Sequence, residues 1–270
     1  MDILRLALLG LAAGIAIIFG AHFLLEVGHA QKEGPALAST NTQAVDPLQV
    51  AREKIEKRIA ATAPDYMRFF DRLKQLLPDE YDRILDGFAR QSLEGADMTN
   101  VDSLLSEAVR TLRLSSGSYA AKADGPALSR IFDLQLSMMR ALAAKDPKLC
   151  VDFLYGGASQ AFFEFSSQNR PLVADMAVAG LEAINDGRAK LIERRPPSDG
   201  DFGLLETALK AKQVSDAEIS AILDGKTPTP PIAAQRMCEV GQIYLQTLTE
   251  LPAETRFRIY GLAVELMAHS

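Results

Sequence analysis

Histidine is almost missing from this chain. Of its 270 residues only His22, His29 and His269 are histidine, and none of them lies between Pro47 and Ala268. That absence removes Ser-His-Asp and Cys-His nucleophilic mechanisms, histidine-based zinc sites and HExxH metalloprotease chemistry from the folded part. Cysteine is as scarce. Cys150 and Cys238 are too few for a disulfide scaffold or a four-cysteine zinc site, and no CxxC spacing offers a redox pair. Excess positive charge is missing too. The net charge of −6 argues against a nucleic-acid binder, whose footprint is a basic domain or stripe. There is no Walker A loop and no GxGxxG turn to cradle phosphates. No segment alternates with period two, and no Asn-Gly hairpin signal occurs, so strands are not expected. Neither a metal nor an organic cofactor is expected from these residues.

What is present begins with apolar length. Leu6 to Leu25 reads LALLGLAAGIAIIFGAHFLL, with no formal charge and one polar side chain, His22. Twenty helical residues rise about 30 Å, the thickness of a hydrocarbon core. Two readings compete. One is a signal anchor that stays in the membrane. The other is a signal peptide cut after Ala30, because Gly28 and Ala30 put small residues at the −3 and −1 positions. Cleaved apolar regions run to about 7–15 residues, so the length favours the anchor. Arg5 and the terminal amine stand against Lys32 alone, which makes N-terminus inside and C-terminus outside the simplest topology. The protein partner is then sought in the cell envelope, the periplasm if the cell is bacterial, and the lipid bilayer is met through residues 6–25. Residues 1–27 are thus read as anchor or signal peptide, 28–46 as a flexible linker and 47–270 as an extracytoplasmic helical domain. The linker, extended, spans up to about 65 Å.

From Pro47 onward the helical period dominates. Asp46 and Pro47 form an N-cap and first-turn pair. Tyr66, Phe69, Phe70, Leu73, Leu76 and Leu77 follow the i, i+3, i+4, i+7 spacing between Pro64 and Pro78. Tyr81, Ile84, Leu85 and Phe88 make a third stripe, and Val101, Leu104, Leu105, Ala108 and Leu112 a fourth, capped by Thr99 or Asn100. A break is expected at Ser115–Ser118. Residues 126–144 are apolar around most of their circumference, which is the mark of a central core helix. Asn169 and Pro171 open a helix to about Lys190. Residues 194–203 read as a loop. Ser215 to Glu218 has capping-box spacing and leads to a stop at Gly225. Two helices close the chain, from about Ile232 to Glu250 and Ala253 to Ala268. The expectation is an all-α fold, an irregular bundle of about ten helices, with a short superhelical stack as the alternative.

Four features invite chemistry. Cys150 and Cys238 each lie on an apolar helix side, as small buried hydrophobes or, in an oxidising compartment, as one disulfide. Glu164 stands among Phe162, Phe163 and Phe165. Desolvated there, its carboxyl would be prepared as a general acid for glycan hydrolysis; on the outer face of its helix it would be a plain surface acid. Asp199 to Gly203 loosely resembles the start of a calcium loop but lacks the remaining ligands, and is read as a surface turn. Phe132, Met138, Met139 and Phe163 form a Met/Phe-rich core that could hold an apolar ligand. The leading functional expectation is a membrane-tethered interaction or structural module. The alternatives are a carboxylate-dependent cell-wall glycan hydrolase and a secreted carrier of an apolar ligand.

Overall fold

The computed structural model describes residues 46–156 and 159–269. The apolar run 6–25, the cleavage site after Ala30 and the linker as far as residue 45 lie outside them. Among the described residues every regular element is helical: twelve α-helices and one 3-10 helix. None of these helices is long and apolar enough to cross a membrane.

Proline sets the N-terminal architecture. Helix α1 (Pro47–Thr62) is capped by the Asp46 side chain, which accepts from the Leu48 amide at 2.9 Å. One residue, Ala63, separates it from α2 (Pro64–Leu76), and one residue, Leu77, separates α2 from α3 (Pro78–Leu93). A residue before proline is pushed out of the helical region. Ala63 and Leu77 accordingly leave it, at φ −143° and −138°, and both are buried. The chain therefore turns sharply twice, and α1, α2 and α3 fold on one another.

Helix α4 (Val101–Ser116) is capped by Asn100, which accepts from the amides of Asp102 and Ser103 at 3.0 and 3.1 Å. The break expected at Ser115–Ser118 is not a loop. Helix α4 runs through Ser116 and passes straight into the 3-10 helix Gly117–Lys122. The two serine hydroxyls are taken up by Glu80 at 3.3 and 3.1 Å, so they cross-link α4 to α3 instead of ending the helix.

The two longest helices form the centre. Helix α5 (Gly125–Lys145) buries Leu128, Phe132, Leu136, Met138, Met139 and Leu142, as its wide apolar surface demands. Helix α8 (Arg170–Lys190) packs on α5, on α2 and along the 3-10 helix. Between them lie α6 (Pro147–Leu154) and α7 (Gln160–Gln168). Asn169 stands at the N-cap position of α8, but its side chain makes no capping bond there. Its side-chain amide donates to the Phe165 carbonyl at 2.8 Å and closes α7.

The loop expected at residues 194–203 is shorter than that. Helix α9 (Asp199–Ala211) begins inside it, because Ser198 and Asp201 make a reciprocal capping box. Asp201 is buried in its first turn rather than displayed on a surface turn. Helix α10 (Asp216–Asp224) has the capping box expected from Ser215 and Glu218 and stops at Gly225, φ +63°. Helices α11 (Ala234–Glu250) and α12 (Ala253–Ala268) complete the chain. Helix α11 lies against α5 and α6, and α12 against the 3-10 helix and α5. One continuous hydrophobic core joins all of these layers.

Candidate functional site

The sequence-predicted residues separate in space. Cys150 on α6 and Cys238 on α11 stand at disulfide distance, with Cα atoms 5.6 Å apart and both residues buried. Gly241, one turn beyond Cys238, leaves room for side chains of α5 and α6. A Cβ at Gly241 would come within 2.6 Å of Met139 and 3.0 Å of Leu154.

Glu164 lies on the exposed face of α7, where Gln160 donates to it at 3.4 Å. Phe162 and Phe165 point inward from the same helix and are buried. The carboxyl faces solvent rather than standing among the aromatic rings.

Other carboxylates are buried or half-buried but already engaged. Asp201 accepts from Arg258 at 2.7 and 3.1 Å and from Thr255 at 2.6 Å. These bonds, led by the Arg258 guanidinium, hold its carboxyl well below the ordinary carboxylate range. Arg236 does the same for Glu218, whose pKa falls to about 2. Asp102 accepts from Arg170 at 2.9 and 2.8 Å and from the Tyr66 hydroxyl at 2.5 Å. Burial opposes ionisation of Asp102, but Arg170 and Tyr66 outweigh it and keep the pKa low. Carboxylates locked to guanidinium groups in this way join helices and hold no proton to donate at neutral pH. Among the described residues no three His, Cys, Asp or Glu side chains gather to hold a metal ion.

The Met/Phe-rich segment is filled rather than hollow. Phe132, Met138 and Met139 are buried, and the Phe132 ring stacks on Tyr260 with centroids 3.7 Å apart. Phe163 is half-buried beside Phe162.

An open apolar space lies on the neighbouring face of α5. Ile131 and Leu134 form one wall of a groove, and Val109 and Leu112 of α4 form another. Helix α12 contributes Val264, Met267 and Ala268, and the 3-10 helix Gly117 and Ala120. Along α8 the lining runs from Met176 to Ile184, a rise of about 12 Å. The cavity volume is about 90 Å³. Its floor is buried, while Val109, Ile131, Leu134, Met176 and Gly180 are half-buried at the mouth.

Small side chains create the space. A Cβ built on Gly180 would meet nothing within 4 Å. Seven positions later the opposite holds. A Cβ on Gly187 would fall 1.8 Å from the Tyr119 carbonyl oxygen. Gly187 draws the C-terminal end of α8 onto the 3-10 helix, and the mid-helix glycine leaves the gap beside it. The groove's charged lining residue is Arg113, at the end nearest the 3-10 helix, where its Cγ lies 3.2 Å from a Cβ built on Gly117. Its Nη1 donates to the Met267 carbonyl at 2.7 Å. Burial, and then repulsion from Arg110, lower its pKa.

The sequence carried a signal for this groove. A glycine in the middle of a helix costs about 1 kcal/mol against alanine and asks for a packing reason. Ala177 and Gly180 supply that signal in α8, but which helices stand opposite them is a tertiary fact.

Compared with protein-family models, with curated proteins and with solved structures, the chain matches none.

Proposed function

We propose that this chain is a membrane-tethered, extracytoplasmic helical domain that serves as a binding module of the cell envelope. The observation that carries the reading is the Cys150–Cys238 pair at disulfide distance. Buried disulfides persist in oxidising compartments and are rare in reducing ones. The uncharged run from Leu6 to Leu25 supplies a means of export and attachment. The residues that follow, rich in Gly, Ala, Ser, Thr and Gln, allow the domain to stand clear of the bilayer. The nearest surface for recognition is the half-open apolar groove between α4, α5, α8 and α12. That groove also favours a second reading, a carrier of an apolar ligand.

Topology is tested on the full-length chain. The protein is recovered from its membrane or soluble fraction, alkylated without reduction and weighed intact. An uncut chain with neither cysteine alkylated supports the tethered reading. A chain beginning at Gln31 supports a released carrier instead. An uncut chain with both thiols alkylated overturns extracytoplasmic placement.

A further inference from the structure

Gly180 is a glycine that the fold does not require. A Cβ there meets nothing within 4 Å, whereas one at Gly187 would strike backbone. Alanine at 180 would fit, strengthen α8 and fill part of the space beside it. What glycine preserves is the space itself. That space is small, with a volume of about 90 Å³. A cavity of ~150 Å³ in an engineered protein holds benzene, which is about 25 Å³ for each carbon. On that scale about four carbons fill the groove. Its walls also decide the charge of an occupant. Val109, Ile131, Leu134, Met176 and Gly180, half-buried at the mouth, have no polar side chain. Arg113, the charged lining residue, already donates to the Met267 carbonyl and serves as wall. An ionised ligand would give up its hydration against hydrocarbon, which is costly. An uncharged one loses only water around its carbons, and that loss favours binding.

We propose that this groove is a binding site for one short, uncharged aliphatic molecule, with about four carbons enclosed between α4, α5, α8 and α12 and any hydroxyl left at the mouth. The inference rests on the apolar-ligand reading of the groove and narrows it to a size and a charge. Each CH₂ taken from water favours binding by about four-fold. Once the groove is full, further carbons remain in solvent and add little. A limit on chain length therefore distinguishes this enclosed site from a merely apolar surface, where affinity climbs with every carbon.

The test titrates straight-chain primary alcohols, from propanol to decanol, into the full-length protein in phosphatidylcholine nanodiscs. Isotope-labelled methionine methyl groups are read by NMR, against the measured aqueous concentration of each alcohol. Met176 and Met267 line the groove, while Met67 and Met98 are half-buried elsewhere and report general solvent effects. The expected result is saturable shifts at Met176 and Met267, with affinity rising about four-fold per carbon as far as butanol or pentanol and then levelling. Gly180→Ala adds one carbon to the wall and should shorten that limit by about one carbon. Gly180→Leu should weaken butanol binding about ten-fold, as overpacking of a filled space does. Gly203→Leu is the matched control, because a Cβ at Gly203 also meets nothing within 4 Å but lies on α9, away from the groove. It should leave binding unchanged. Melting curves separate blocked binding from lost structure, and Gly180→Ala carries the test should leucine unfold the domain. Affinity that climbs evenly to decanol overturns the proposal while leaving the carrier reading intact. No saturable shift at Met176 and Met267 in the folded protein overturns both. Equal shifts at Met67 and Met98, or a limit unmoved by Gly180→Ala, also overturn the proposal. The tethered reading stands apart from all of these outcomes, because it is read from the intact mass.

Discussion

Gly180 and Gly187 lie on the same helix, two turns apart, and a methyl group would do opposite things at each. At Gly180 a Cβ meets nothing within 4 Å. Gly180→Ala therefore loses no packing and gains helix propensity, and it should stabilise the domain by about 1 kcal/mol in urea denaturation. At Gly187 the same Cβ lands 1.8 Å from the Tyr119 carbonyl oxygen, and the Ala123 amide nitrogen is 3.1 Å away. Backbone cannot step aside as a flexible side chain can. Gly187→Ala should cost about 3 kcal/mol or more, or leave the protein insoluble. Equal effects at the two positions would show that α8 does not approach the 3-10 helix as described.

At the scale of elements, capping boxes do double service. The Ser198–Asp201 box starts α9, and Asp201 also receives Arg258 and Thr255 from α12. The Ser215–Glu218 box starts α10, and Glu218 also receives Arg236 from α11. Each acid thus begins one helix and ties it to another. Both carboxylates have folded-state pKa values below those of the unfolded chain, about 3.9 for Asp and 4.3 for Glu. Protons then bind the unfolded state preferentially. The stability these acids contribute is complete above about pH 5 and is lost as pH falls through the unfolded values toward the folded ones. Urea midpoints should fall steeply between pH 5 and pH 3. In Asp201→Asn and Glu218→Gln variants, less stable at neutral pH, that slope should be shallower. An unchanged slope in both variants would mean that these acids are not the paired ones.

For the whole molecule the decisive connection is the one between α6 and α11. It closes a loop with a sequence separation of 88. In the chain-entropy model a cross-link of that span stabilises the folded state by about 4–5 kcal/mol. Reduction, or replacement of both cysteines by alanine, should lower the melting temperature by about 8–20 °C. A melting temperature indifferent to reductant would show that the pair is not bonded in solution. Such a tie suits a chain whose two longest helices, α5 and α8, are packed by elements drawn from both its halves.

How far the sequence reached follows from which forces are local. Helix starts were legible because they depend on neighbours in the chain: Asp46 with Pro47, and the Ser215–Glu218 box, act over a few residues. The all-helical class was legible from the 3.6-residue spacing of apolar side chains, which lets each helix bury one face. Errors arose where a distant residue supplied the missing partner. Ser115 and Ser116 looked like a break until Glu80 accepted their hydroxyls. Asp201 looked like a surface acid until Arg258 and Thr255 of α12 buried it. The candidate site belongs to the same class. The sequence by itself determined that α8 carries alanine at 177 and glycine at 180. Only the tertiary structure decided that Val109, Ile131, Leu134 and Val264 stand around the gap beside them, because a cavity is what several helices jointly fail to fill.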